Sequence, residues 1–167
     1  MKKIIKELYP YVIIVISVIL FRTFIATPVR VDGNSMNDTL NNNDILILNK
    51  LDKTYERFDI VVINVNGSKL VKRIIGMPGE NISYKDNEIY INGEKFEDIE
   101  TSRTTDFSLE ELYSINKIPE DYYFVMGDNR NNSLDSRDYR VGLIKKEDIS
   151  GITIFRLFPF NKLGTIK

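Results

Sequence analysis

Residues 60–80 read IVVINVNGSKLVKRIIGMPGE. Two short runs rich in β-branched residues, Ile60–Val65 and Lys69–Ile75, stand apart across a polar Asn-Gly-Ser break, and the second ends in Gly76-Met77-Pro78-Gly79. Such runs, bounded by Gly, Asn, Asp and Pro clusters, predict strands. The same pattern extends both ways along the chain, with further candidate strands at Ile45–Asn49, Glu88–Ile91, Tyr122–Met126 and Ile152–Phe155. Asn92-Gly93 separates Glu88–Ile91 from Glu94–Phe96, and both of its residues tolerate positive φ, which predicts a tight hairpin. One helix is predicted here, from the capping-box spacing Ser108-Leu-Glu-Glu111 toward Tyr113. TSRTTD at 101–106 is the predicted exposed loop. The expected fold class is mainly β, a compact antiparallel β-sheet domain over 29–167.

Upstream of that domain the pattern is different. Lys2, Lys3 and Lys6 precede an uncharged apolar stretch from Leu8 to Phe21. A bilayer core needs about 20 helical residues, and Arg22 can snorkel to the interface so that the segment continues to Ala26. A single transmembrane helix is therefore expected within 1–28, with the lysines favouring a cytoplasmic N-terminus. A cleaved signal peptide fits less well, because Phe24 would occupy the −3 position before a cut at Ala26. A surface helix is disfavoured, since the stretch is apolar all round. Pro28 is expected to break the helix and start the folded domain near Val29.

Composition removes many chemistries. The 167 residues include no histidine and no cysteine, so Ser-His-Asp triads, Cys-His pairs, thiolate or imidazole zinc sites and disulfides are all excluded. A hydroxyl nucleophile with a lysine base, a carboxylate pair or carboxylate-held metal remain. The net charge of −1 gives no footprint for a nucleic-acid partner, and 43% apolar content supports a packed core.

Gly33-Asn34-Ser35-Met36 places a hydroxyl in a bend after an extended run, the setting in which an oxygen projects into a cleft while backbone amides converge on a developing oxyanion. Lys72 and Arg73 sit side by side in a predicted strand. Period-two alternation puts Lys72 on the face of Leu70 and Ile74 and Arg73 on that of Val71 and Ile75, so one basic residue is expected to enter an apolar layer and the other to point away. Burial of this kind moves a lysine from about 10.4 toward ~8, where it can act as a base. The carboxylates Asp59, Asp128 and Asp135 are balanced by Arg73, Arg130 and Arg137, which argues against a metal site.

VDGNSMNDTL at 31–40, FDIVV at 58–62, LVKRIIGMPGE at 70–80, MGDNRNNSLDSRDYRVG at 126–142 and FRLFPF at 155–160 follow in order behind the apolar segment. Together they resemble the type I signal peptidases, membrane-bound Ser-Lys serine endopeptidases, over most of 30–160 except roughly 81–120. The resemblance implies cleavage of signal peptides from secreted preproteins, with Ser35 as nucleophile and Lys72 as general base, and no cofactor or metal. It further implies that Ser133 orients the Lys72 amine, that Asp135 pairs with Arg137 and Asp128 with Arg73 to support the dyad, and that Val29, Val31, Met36, Leu40 and Val71 line pockets for small side chains. The implied partners are preprotein substrates and the lipid bilayer, with a monomer as the working form and the catalytic domain outside the cell membrane.

Two departures bear on that picture. Gly33 stands where some members carry a second oxyanion-hole serine, and Asp38 stands where the family usually has proline, which predicts a looser turn. Two other readings stay open at this level: an inactive membrane-tethered paralogue or binding module, and a self-cleaving Ser-Lys peptidase of the LexA type.

Overall fold

The fold is that of a computed structural model, which describes residues 2–99 and 103–166. Helix α1 spans Lys2–Phe24, and its apolar stretch Glu7–Phe24 has a mean hydropathy of 1.7 with none of it buried against the rest of the chain. That is the length and composition of a membrane anchor. The helix stops earlier than predicted. Thr27 Oγ1 donates to Arg22 O at 2.6 Å, and Lys50 Nζ donates to Arg22 O and Thr23 O at 3.2 Å each, satisfying carbonyls that a helix end otherwise leaves open. Pro28 is not the breaker. It lies in strand β1 (Ala26–Arg30), exposed on an edge of the sheet where its missing N–H costs no ladder bond.

Beyond β1 come β2 (Ile45–Asn49), β3 (Ile60–Val65), β4 (Ser68–Gly76), β5 (Ile82–Lys85), β6 (Glu88–Ile91), β7 (Glu94–Phe96), β8 (Phe107–Ser108), helix α2 (Leu109–Tyr113), β9 (Tyr122–Met126), β10 (Ile144–Lys145), β11 (Ile149–Phe158) and β12 (Gly164–Thr165). The main sheet runs β1-β2-β11-β3-β4-β9-β10 with β12 alongside β11, and a four-stranded sheet runs β7-β6-β5-β8. All pairings are antiparallel. The β6–β7 hairpin turns at Asn92-Gly93, both at positive φ, as the dipeptide predicts. α2 has the predicted capping box, Ser108 Oγ accepting from Glu111 N and Glu111 Oε2 from Ser108 N. In the predicted 101–106 loop, Thr101 and Ser102 lie outside the described residues. Thr104 is not exposed: it is buried, with its N–H on Asn87 Oδ1.

Three apolar clusters hold these layers. Ile75, Phe124 and Met126 of the main sheet pack against Ile82, Tyr84, Ile89 and Phe107 of the small one. On the opposite face Val61, Ile63, Ile74 and Val125 pack with Tyr55, Ile144 and Ile149. The third cluster gathers Val31, Met36, Leu40, Leu46 and Ile60 beneath the 31–44 segment. With both faces of β3, β4 and β9 covered, burial along them is continuous rather than alternating. This corrects one expectation. Arg73 does take the face opposite Lys72, but that face is no less buried: Lys72 is 2% exposed and Arg73 0%.

Candidate active site

β4 carries Lys72 into the middle of the main sheet, opposite Val61 of β3. Its Nζ donates to Ser35 Oγ at 2.6 Å and to Val71 O at 3.0 Å. Ser35 itself is partly exposed, in the bend between β1 and β2. Burial strips water from the Lys72 ammonium and lowers its pKa from 10.5 to about 8, although the charges of Asp135 and Asp128 pull it upward. An amine whose pKa is lowered to about 8 is therefore held against the hydroxyl of a partly exposed serine. That is the geometry of a nucleophile and its base.

The bend has its own logic. Gly33 sits at φ 96°, with its N–H on Asn42 Oδ1 at 3.0 Å. Asn37 N donates to Asn34 O and Leu40 N to Met36 O, which coils the chain so that Met36 and Leu40 turn into the core and Ser35 turns out. Among the described residues the Ser35 N–H has no acceptor. Asp38 adopts φ 87°, a value closed to proline, whose ring fixes φ near −65°. The turn is thus of a different shape from one built on proline, rather than a looser copy of it. Asn129 closes it from the far side, its N–H on Ser35 O at 3.0 Å and its Nδ2 on Asn34 O at 3.1 Å.

The 127–137 loop lies against both members of the pair. A Cβ on Gly127 would collide with Ser133 Oγ and Ser35 O, so only glycine lets the loop come this close. Ser133 Oγ is buried here and makes no hydrogen bond, to Lys72 or to any other described residue, though it is near enough to Asp135 to help hold that carboxylate charged. Asp135 pairs with Arg137 through two bonds of 2.9 and 2.8 Å and accepts from Gly127 N at 3.0 Å. Burial raises its pKa, but the Arg137 pairing and the Gly127 N–H outweigh that and hold it below the ordinary carboxylate value. Arg73 and Asp128 form a second two-bond pair, 2.8 and 2.7 Å, with both side chains fully buried.

Of the five expected pocket residues, Val31, Met36, Leu40 and Val71 share the third apolar cluster, while Val29 is partly exposed in β1. One hollow of the surface is walled by Lys53, Glu120 and Tyr122, and not by the pair. Sequence reasoning missed Asn129, Asp44 and Arg156. Asn129 lay inside the 126–142 stretch already singled out. Asp44 and Arg156 are lone charges beside or within apolar runs, DILIL and IFRLF, and a charge in such a place is a signal for a buried pair.

The chain matches the family "Signal peptidase, peptidase S26" over residues 2–158. It is 38% identical to signal peptidase I of Bacillus amyloliquefaciens, covering 93% of this chain and 89% of the relative. It is 41% identical to signal peptidase I T of Bacillus subtilis, covering 93% and 86%. A crystal structure of a signal peptidase I from Enterococcus faecalis superposes with a TM-score of 0.54 at 36% identity, over 59% of this chain and 96% of that one. A mainly antiparallel β body behind an apolar helix, with matches of this extent, settles membership: the chain belongs to the signal peptidase I family, serine endopeptidases of family S26 that cleave signal peptides from secreted preproteins.

Proposed function

We propose that Ser35 and Lys72 are the catalytic dyad. The single observation that carries this is the 2.6 Å contact between a buried amine of lowered pKa and the hydroxyl of a partly exposed serine. Ser35 Oγ attacks the scissile carbonyl carbon while its proton passes to Lys72 Nζ. The C–N bond then breaks, Lys72 returns the proton to the leaving amine, and an ester is left on Ser35. Water, deprotonated by Lys72, hydrolyses the ester and frees the serine. The unengaged Ser35 N–H supplies one oxyanion donor, and no second hydroxyl stands at Gly33.

Gly127 and Asp135 keep the loop against the dyad, with Arg137, Arg73 and Asp128 as its support. Ser133 orients the amine in the substrate complex, where catalytic hydrogen bonds tighten. The preprotein docks as an extended strand, small side chains settling toward Val31, Met36, Leu40 and Val71. An extended chain paired along a strand needs no enclosed hollow. Lys2, Lys3 and Lys6 keep the N-terminus in the cytoplasm. α1 crosses the bilayer, and the chain from Ala26 onward works as a monomer on the outer side.

Cleavage of a preprotein with small residues at −1 and −3 by the detergent-solubilised full chain tests the dyad. Ser35→Ala is expected to abolish it. Wild-type cleavage by that variant would remove Ser35 from the mechanism, and an inactive wild type would favour a tethered binding role.

A further inference from the structure

The turn that presents Ser35 carries a strained residue three positions on, and the hydrogen bonds inside the turn are joined by others from outside it. Asp38 at φ 87° lies in the left-handed region that non-glycine residues avoid. The outside restraint converges on the next residue. Arg73 NH2 donates to Thr39 Oγ1 at 3.3 Å, and Arg156 NH2, from β11, donates to Thr39 O at 2.5 Å. Both arginines are buried, Arg156 at 8% exposure. Arg156 in turn sits against Asp44, Nε to Oδ2 at 3.3 Å, an ion pair not aligned as a hydrogen bond. Asp44, itself 2% exposed, accepts from Asn41 N at 3.1 Å through the same Oδ2. Its backbone ties the two ends of the segment together, Val31 N donating to Asp44 O at 2.8 Å and Asn43 N to Val31 O at 2.9 Å.

Arg73 belongs to the pairs already described. Arg156 and Asp44 do not, and neither touches Ser35, Lys72 or the 127–137 loop. Among the described residues, the polar links of their side chains run to each other and to Thr39 and Asn41, on the far limb of the nucleophile's turn. Burying two charges is costly unless their mutual attraction and hydrogen bonds repay it, and the hydrogen bonds these two side chains make are to residues 39–41. Because the chain from Ser35 to Thr39 is a single coil closed by Leu40 N on Met36 O at 2.7 Å, fixing Thr39 fixes the direction in which Ser35 Oγ leaves the turn.

We propose that Arg156 and Asp44 are positioning residues for the nucleophile, a clamp from β11 that holds Thr39 and thereby aims Ser35 Oγ at Lys72 Nζ. The proposal rests on Ser35 being the nucleophile. It distinguishes two limbs of one turn: Asn129 restrains Asn34 and Ser35 directly, and the Arg156–Asp44 pair restrains the exit.

The test is steady-state cleavage of a signal-peptide substrate across pH 6–10 by three variants of the full chain in detergent, each checked for folding by thermal melting. Arg156→Lys keeps the charge opposite Asp44 but loses the fork that also reaches Thr39 O. It is expected to lower the plateau kcat about ten- to a hundredfold, as small misplacements of a reacting group do, with KM and the pH midpoint unchanged because Lys72 is untouched. The double variant Asp44→Asn/Arg156→Gln, in which neither charge is left unpaired, is expected to fold and to show the same loss. Wild-type plateau kcat in a folded Arg156→Lys and a folded double variant would overturn the clamp, as would a loss accompanied by a shifted midpoint, since that would put the effect on Lys72. Ser35→Ala separates the two levels: if it is inactive while Arg156→Lys is wild-type, only the clamp fails, and if Ser35→Ala is active, the nucleophile itself is wrong.

Discussion

At neutral pH the buried Lys72 ammonium lowers the stability of the protein that holds it. With a folded pKa of about 8 against an ordinary 10.5, the unfolded chain binds more protons between those two values. Stability therefore rises with pH across that window, and below it the protein bears the full cost, roughly 3 kcal/mol by linkage. Lys72→Met removes the cost and the base together. Chemical denaturation at pH 7 is expected to show the variant more stable than wild type by about 1–3 kcal/mol, with cleavage lost. Equal stability at pH 7 would mean that the amine is not held at such a cost. Asp38 makes a second residue-scale prediction. Asp38→Gly relieves the left-handed backbone and is expected to raise stability by about 1 kcal/mol, while Asp38→Pro, which restores the usual family residue, cannot adopt φ 87° and is expected to lower both stability and kcat. Thermal melts of the two variants moving in the same direction would contradict this.

Among the elements, the central strands carry the site because both of their faces are covered. Arg73 and Asp128 meet between layers with no exposure on either side, so Asp128→Ala strands a charge and is expected to cost about 3–5 kcal/mol in denaturant titration. A change under 1 kcal/mol would show that water reaches Arg73. How much of this was legible in sequence follows the same line. β2, β3, β6 and β9 fall where the β-branched runs predicted, β7 where the Asn92-Gly93 hairpin did, and alternation placed Lys72 and Arg73 on opposite faces. What alternation cannot say is whether the second face is solvated, and so Arg73, expected to point away from the apolar layer, lies instead in a second buried layer. β11 runs three residues further at each end than its predicted run, because register shifts between Ile149 and Gly151, between Thr153 and Phe155 and between Arg156 and Phe158 interrupt the period-two pattern. β1 was missed because Pro28 reads as a breaker, and only the sheet order reveals that it stands on an edge. The small strands β5, β8, β10 and β12 are too short to carry a period of their own. At the site, the bend and the strand made Ser35 and Lys72 candidates and the family resemblance singled them out, whereas Asp44 and Arg156 lie far apart in sequence and are brought together by the β2–β11 pairing.

For the molecule as a whole, the folded body exists to bring three distant segments to one point: the bend after β1 with Ser35, β4 with Lys72, and the loop after β9 with Gly127, Ser133 and Asp135. The small sheet is fastened to that loop by Arg130, whose guanidinium reaches Tyr84 OH at 2.7 Å and Asp98 at 2.6 and 3.0 Å while its carbonyl accepts from Arg137 at 2.7 Å. α1 passes into β1 across a single residue, Ile25, and Lys50 of the segment after β2 grips the helix end, so the anchor and the body meet at a short, tied joint. All of this serves one claim, that a buried lysine of lowered pKa is the base for Ser35. The pH dependence of kcat/KM reports the base of the free enzyme. For preprotein cleavage by the full chain it is expected to rise through a midpoint near 8, where the structure puts Lys72, and to level off above it. A profile flat from pH 6 to 10, or one that rises only near the ordinary lysine value, would contradict the account.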